Sequence, residues 1–142
     1  IAFTVIHPKI ELKTKDSRAV VKDKVLLKNM IEQSANLGAF ISGLYTEDYD
    51  LIGRSLKDVI IEPLRSVLIP KFEKIKSVSI NSGALGCGIS GSGPSVFAMC
   101  KGVTTAINVG NAMKKIYDKL DLDYDVHISC VNDIGIKILK TN

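Results

Sequence analysis

The chain has 142 residues, 46% hydrophobic and 24% charged, which supplies an ordinary single core and excludes intrinsic disorder. Gly at 11 and Pro at 4 exclude collagen-like and low-complexity chains. The net charge of +4 is scattered without long like-charge runs, so neither a nucleic-acid arm nor a polybasic membrane patch is indicated.

Residues 1–6 are apolar and β-branched up to His7-Pro8 and predict a buried strand. The alternation over 10–13 predicts a short edge segment. Thr14, ahead of Lys15-Asp16-Ser17-Arg18, reads as an N-cap with an acid in the first turn. Helical spacing of Val25, Leu26, Met30, Ile31, Leu37, Phe40, Ile41 and Leu44 predicts one long helix or two joined ones over 24–45. A second helical block follows at 49–59. Pro63 fits the first turn of a short helix reaching 68, and Pro70 restarts a helix that ends at Asn81-Ser82-Gly83. Two strands, 85–90 and 95–100, flank the turn Gly91-Ser92-Gly93-Pro94. A helix over 103–120 precedes strands at 124–131 and 134–139, the last alternating Ile134, Ile136 and Ile138 with Gly135, Lys137 and Leu139.

Strand, helices, hairpin, helix, strand is the order of an α+β fold. It predicts a ferredoxin-like split β-α-β-β-α-β plan, an antiparallel sheet with helices on one face and an extra helical insertion. No repeat or linker divides the chain, so residues 1–142 read as one domain. The longest uncharged stretch, 77–100, carries five Gly and six Ser and is too polar for a membrane helix. No signal-peptide pattern appears, and a strand-like start at Ile1 rather than Met suggests an excised or processed piece. Cys87, Cys100 and Cys130 form an odd set without a CxxC pair, which points to a reducing, cytoplasmic setting. Neither they nor His7 and His127 have metal-site spacing.

The informative stretch is Gly83-Ala-Leu-Gly-Cys-Gly-Ile-Ser-Gly-Ser-Gly-Pro-Ser-Val-Phe-Ala98. A Ser90-Gly91-Ser92-Gly93 turn can aim several N–H groups and hydroxyls one way, which suits an anion. It can equally be a plain hairpin turn, although it is longer and richer in Gly than a hairpin needs. Small residues upstream (Gly83, Ala84, Gly86, Cys87, Gly88) suggest that something packs against that strand's backbone. Arginine usage adds a second signal. Against 16 Lys there are only Arg18, Arg54 and Arg65, so an Arg here is a candidate for bidentate contact with carboxylate or phosphate. Thr14 and Arg18 stand four apart, on one face of a helix.

These residues resemble the GHMP kinases (galactose, homoserine, mevalonate and phosphomevalonate kinases), the glycine-rich stretch matching their third conserved motif. Thr14-Lys-Asp-Ser-Arg18, Asp58-Val-Ile-Ile-Glu-Pro-Leu-Arg65 with Ile69-Pro70, and Val131-Asn-Asp-Ile-Gly-Ile-Lys137 narrow the resemblance to the homoserine kinase family over essentially the whole chain. The resemblance implies transfer of the ATP γ-phosphoryl group to the hydroxyl of L-homoserine, a step of threonine biosynthesis, by an enzyme that is usually a homodimer. It implies that Thr14, Arg18, Arg65 and Gly91 bind substrate, Arg18 and Arg65 gripping the carboxylate. The Ser90-Gly91-Ser92-Gly93 turn would face the phosphate loop of an N-terminal half. That loop, of Pro-x-x-x-Gly-Leu-Gly-Ser-Ser type, is absent from these 142 residues. The chain therefore reads as the C-terminal half, with no catalytic residue or metal ligand of its own, ATP and Mg²⁺ held mainly elsewhere, and no kinase turnover alone. Cys87, where the family usually has a smaller residue, reads as packing. Two other readings stay open: a sister kinase of mevalonate or cytidyl-methylerythritol type, and a ferredoxin-like amino-acid-binding regulatory module. An RNA-binding sheet is disfavoured because the hairpin offers only Phe97 for stacking.

Overall fold

A computed structural model describes residues 1–136 and 138. Strand β1 (Ala2–Pro8) leads into helices α1 (Thr14–Ala19), α2 (Leu27–Thr46), α3 (Tyr49–Ser55), α4 (Glu62–Arg65) and α5 (Phe72–Asn81). A hairpin of β2 (Ala84–Ile89) and β3 (Val96–Cys100), helix α6 (Val103–Tyr117) and strand β4 (Tyr124–Cys130) complete it. The four strands form an antiparallel sheet in the order β2-β3-β1-β4. That is the split β-α-β-β-α-β plan, with α5 and α6 as its two helices and α1 to α4 inserted before α5.

Alternation along β1 buries Ala2, Thr4 and Ile6 opposite Cys100, Ala98 and Val96 of β3. Onto this face pack Phe72 and Ile75 of α5 and Val109, Met113 and Tyr117 of α6. Each large apolar side chain removed from water contributes about 1.5–3 kcal/mol. Gly110 lets α6 approach closely: a Cβ there would stand 3.3 Å from the Thr4 methyl. The Thr4 hydroxyl donates to the Ala106 carbonyl at 2.6 Å, so the one polar side chain of β1's buried row is satisfied.

The structure departs from the sequence expectations at four places. Residues 10–13 form no strand. Strand β1 already has β3 and β4 on its two sides, and Ile10 N–H bonds back to the Pro8 carbonyl instead. The cap of α1 falls on Lys13, making Thr14 the first helical residue. The block predicted to 59 ends at Ser55, because the Asp58 carboxylate takes the Ile60 and Ile61 N–H groups and competes with helical pairing. The strand predicted at 134–139 does not form at its described residues, where Ile134, Ile136 and Ile138 are 67%, 101% and 81% exposed. Asn132 accepts from the Ile134 N–H in a turn and Gly135 takes φ of +80°. Lys137 and Leu139 lie outside the described residues.

Of the inserted helices, α3 lies against β2. Gly86 faces Leu56, just past the end of α3, and a Cβ on Gly86 would fall 2.8 Å from the Leu56 Cβ and Cγ. Helix α2 is continuous and packs on α3, while Leu27, Ile31, Leu37 and Tyr45 remain exposed. Among the described residues no helix is long and apolar enough to cross a membrane.

Candidate functional site

The site grows from the short segment between α3 and α5. Asp58 Oδ1 accepts from the N–H groups of Ile60 at 2.9 Å and Ile61 at 2.8 Å. The Ile61 carbonyl in turn accepts from Leu64 and Arg65, both at 3.0 Å, and this opens α4 with Pro63 in its first turn. Helix α4 thereby places Glu62 and Arg65 one turn apart along the rim of a cavity of about 210 Å³. Leu37 and Phe40 of α2 and Phe97 of β3 form its apolar wall, and Asp58, Glu62 and Arg65 contribute charge. A volume below that of drug-sized pockets suits a ligand of few heavy atoms.

Arg65 joins three elements. Its Nε–H donates to the Ser17 carbonyl of α1 at 3.2 Å, and Nη1 donates to the Gly91 carbonyl of the β2–β3 turn at 3.3 Å. The Ser17 hydroxyl donates to the Ser92 carbonyl at 3.3 Å, lacing α1 to the same turn. Of the five N–H donors on a guanidinium, those two are engaged, and the others have no partner among the described residues. The turn is closed by Ser90 N–H to the Ser95 carbonyl at 2.8 Å and Gly93 N–H to the Ser90 carbonyl at 3.1 Å. Gly91 and Gly93 hold φ of +62° and +82°, conformations that side chains with a Cβ rarely adopt.

Glu62 is largely buried, 13% of its side chain exposed, and pairs with Lys76 of α5. Gly88 makes the room: a Cβ there would stand 3.3 Å from Glu62 Oε2 and from the Phe97 ring. Desolvation raises the Glu62 pKa above the ordinary carboxyl value, and the hydrogen bond from Lys76 opposes that rise. Cys87 stands buried in the core, where desolvation pushes its thiol up to about 12. It is therefore a packed thiol and not a thiolate nucleophile.

Of the residues singled out from sequence, Arg65 and Gly91 line the cavity, and Ser90, Ser92 and Gly93 belong to the turn beside it. Arg18 does not line it. Thr14 opens α1, and Arg18 follows the Ser17 whose carbonyl holds Arg65, with its own side chain exposed. Sequence reasoning missed Gln33, whose Oε1 accepts the Val59 N–H at 2.9 Å, and Asn36, which donates to the Lys57 carbonyl at 3.4 Å. Both are ordinary polar residues on a helix, and no sequence signal marks them. The Glu62–Lys76 pair was also unread, although Glu62 stood inside a quoted motif. The small residues at 86 and 88 did signal a close neighbour, and Leu56 and Glu62 are those neighbours.

The family described as GHMP kinases C terminal matches residues 40–119, more than half of the chain. The chain belongs to that family. This GHMP kinase C-terminal domain is 47% identical over 138 residues to a homoserine kinase of Chlorobium phaeobacteroides strain BS1, covering 96% of this chain and 43% of that one. It is 44% identical over 140 residues to a homoserine kinase of Chlorobaculum tepidum, covering 97% and 43%. The crystal structure of a homoserine kinase from Cytophaga hutchinsonii superposes with a TM-score of 0.90 at 45% identity, covering 92% of this domain and 42% of that chain. The domain thus spans less than half the length of the curated relatives it matches.

Proposed function

We propose that the cavity beside Arg65 is the acceptor side of a homoserine kinase, and that the whole protein transfers the γ-phosphoryl group of ATP to the hydroxyl of L-homoserine, releasing O-phospho-L-homoserine and ADP. The observation that carries this reading is the Arg65 fork, braced by backbone carbonyls of α1 and the glycine-rich turn at the edge of a small cavity. A carboxylate is the natural partner of such a planar donor set. Homoserine is a small zwitterion whose hydroxyl must be aimed, and phosphoryl transfer depends chiefly on positioning and charge stabilisation. We place Arg18, with Thr14 at the start of the same helix, as an outer member of the carboxylate grip: its side chain is exposed outside the cavity, on the helix that Ser17 ties to Arg65 and to the turn.

Among the described residues the donor set does not fit a metal centre. No three His, Cys, Asp or Glu side chains gather to hold an ion among the described residues. We therefore place Mg²⁺ and the nucleotide phosphates chiefly on an N-terminal part of the whole enzyme, consistent with the 43% of the relatives' length spanned here. The Ser90-Gly91-Ser92-Gly93 turn faces that part. The test is a phosphorylation assay of the full-length enzyme with ATP and either homoserine or mevalonate. Turnover with homoserine alone is expected, and preferential turnover of mevalonate would reject the assignment.

A further inference from the structure

We infer that Asp58 is a positioning residue, which sets the stance of the Arg65 guanidinium by holding the first turn of α4. The inference rests on the reading of the cavity as the homoserine site. Helix α4 has four residues, too few to be stable alone, so its placement is dictated by what pins its start. Asp58 Oδ1 pins it by accepting from Ile60 and Ile61, and the Ile61 carbonyl then receives the Arg65 N–H. At the far end, the two bonds from the guanidinium to Ser17 and Gly91 are 3.2 and 3.3 Å, at or beyond the long limit for N–H···O. The fork is held loosely in front and firmly behind. A second brace comes from α2, where Gln33 Oε1 accepts the Val59 N–H at 2.9 Å and keeps the Asp58 loop against the cavity wall.

The role needs an acceptor oxygen in place, not a negative charge, and Asn supplies the same acceptor. Asp58 also lines the cavity, so direct contact with the substrate ammonium is the competing role, and that one does need the charge. Steady-state kinetics of the full-length enzyme separate the two. Asp58→Ala is expected to raise the KM for homoserine about tenfold, with kcat and the KM for ATP within about threefold, while Asp58→Asn stays near the parent. An unchanged homoserine KM in Asp58→Ala, or an equal loss in Asp58→Asn, would overturn the inference. If Asp58→Ala does not fold, Gln33→Ala against Gln33→Glu decides it, since only Glu keeps the acceptor. A raised homoserine KM in Gln33→Ala alone supports positioning, and equal values in both variants contradict it. Hydrogen exchange of the Arg65 Nε–H, followed by ¹⁵N-arginine labelling, reads the same effect without turnover. Faster exchange in Asp58→Ala but not in Asp58→Asn is expected even if homoserine proves not to be the substrate, whereas equal exchange in both would refute the positioning role by itself.

Discussion

Glu62 carries a carboxylate into a largely buried position against Gly88, with Lys76 as its compensation. Because burial raises its folded-state pKa, the folded protein holds that proton more tightly than the unfolded chain does. Its contribution to stability is therefore complete below the ordinary carboxyl value and is lost as pH rises through the raised one. Glu62→Gln removes that dependence. Thermal melts across the acidic range should show the variant gaining on the parent as pH rises, and a constant difference would refute the buried-carboxyl account. Tyr117 presents a complementary case. Its ring is fully buried against Tyr124, yet its hydroxyl has no hydrogen-bond partner among the described residues. A buried donor left unpaired costs stability, so Tyr117→Phe should be neutral or stabilising by about 1 kcal/mol in denaturant unfolding. A marked loss would mean that the hydroxyl has a partner.

Among the elements, the seam between α3 and β2 depends on Gly86 lying flat under Leu56. Gly86→Ala would force the Leu56 side chain aside and should cost about 1–3 kcal/mol. Adding Leu56→Ala to that variant should then cost far less than Leu56→Ala does alone, a coupling that a double-mutant cycle measures. Strict additivity would show that the seam is not where the strain falls. The same seam explains what the sequence made legible. Helical spacing carried α5 and α6, each of which buries one face, while an apolar β-branched run marked β1 and the glycine-rich turn marked the hairpin. Strand alternation misled at 10–13, where β1 already has β3 and β4 beside it, and at the described residues of 134–138, whose isoleucines stay exposed and bury no face. Of the cavity's lining, Arg65 and Gly91 were legible because arginine and a glycine-rich turn are rare in this chain. The lining was illegible where ordinary polar groups such as Gln33, Asn36 and Asp58 brace a loop, since their partners are backbone atoms that no side-chain pattern reports.

At the scale of the whole molecule, the domain spans 43% of its relatives' length, and on the proposed reading it would hold one wall of a reaction site completed by the rest of the enzyme. The glycine-rich phosphate loop of the resembled family does not occur in its sequence. Purified alone, the chain should therefore release no ADP in a homoserine-dependent coupled assay, and measurable turnover would place the nucleotide site within it. The central claim is that Arg65 fixes the acceptor's carboxylate, and kinetics of Arg65→Ala in the full-length enzyme test it most directly. Losing a charged hydrogen-bond partner should raise the KM for homoserine about a hundredfold while the KM for ATP changes little. Equal losses toward both substrates would contradict the account and leave Arg65 as a structural tie between α1, α4 and the turn.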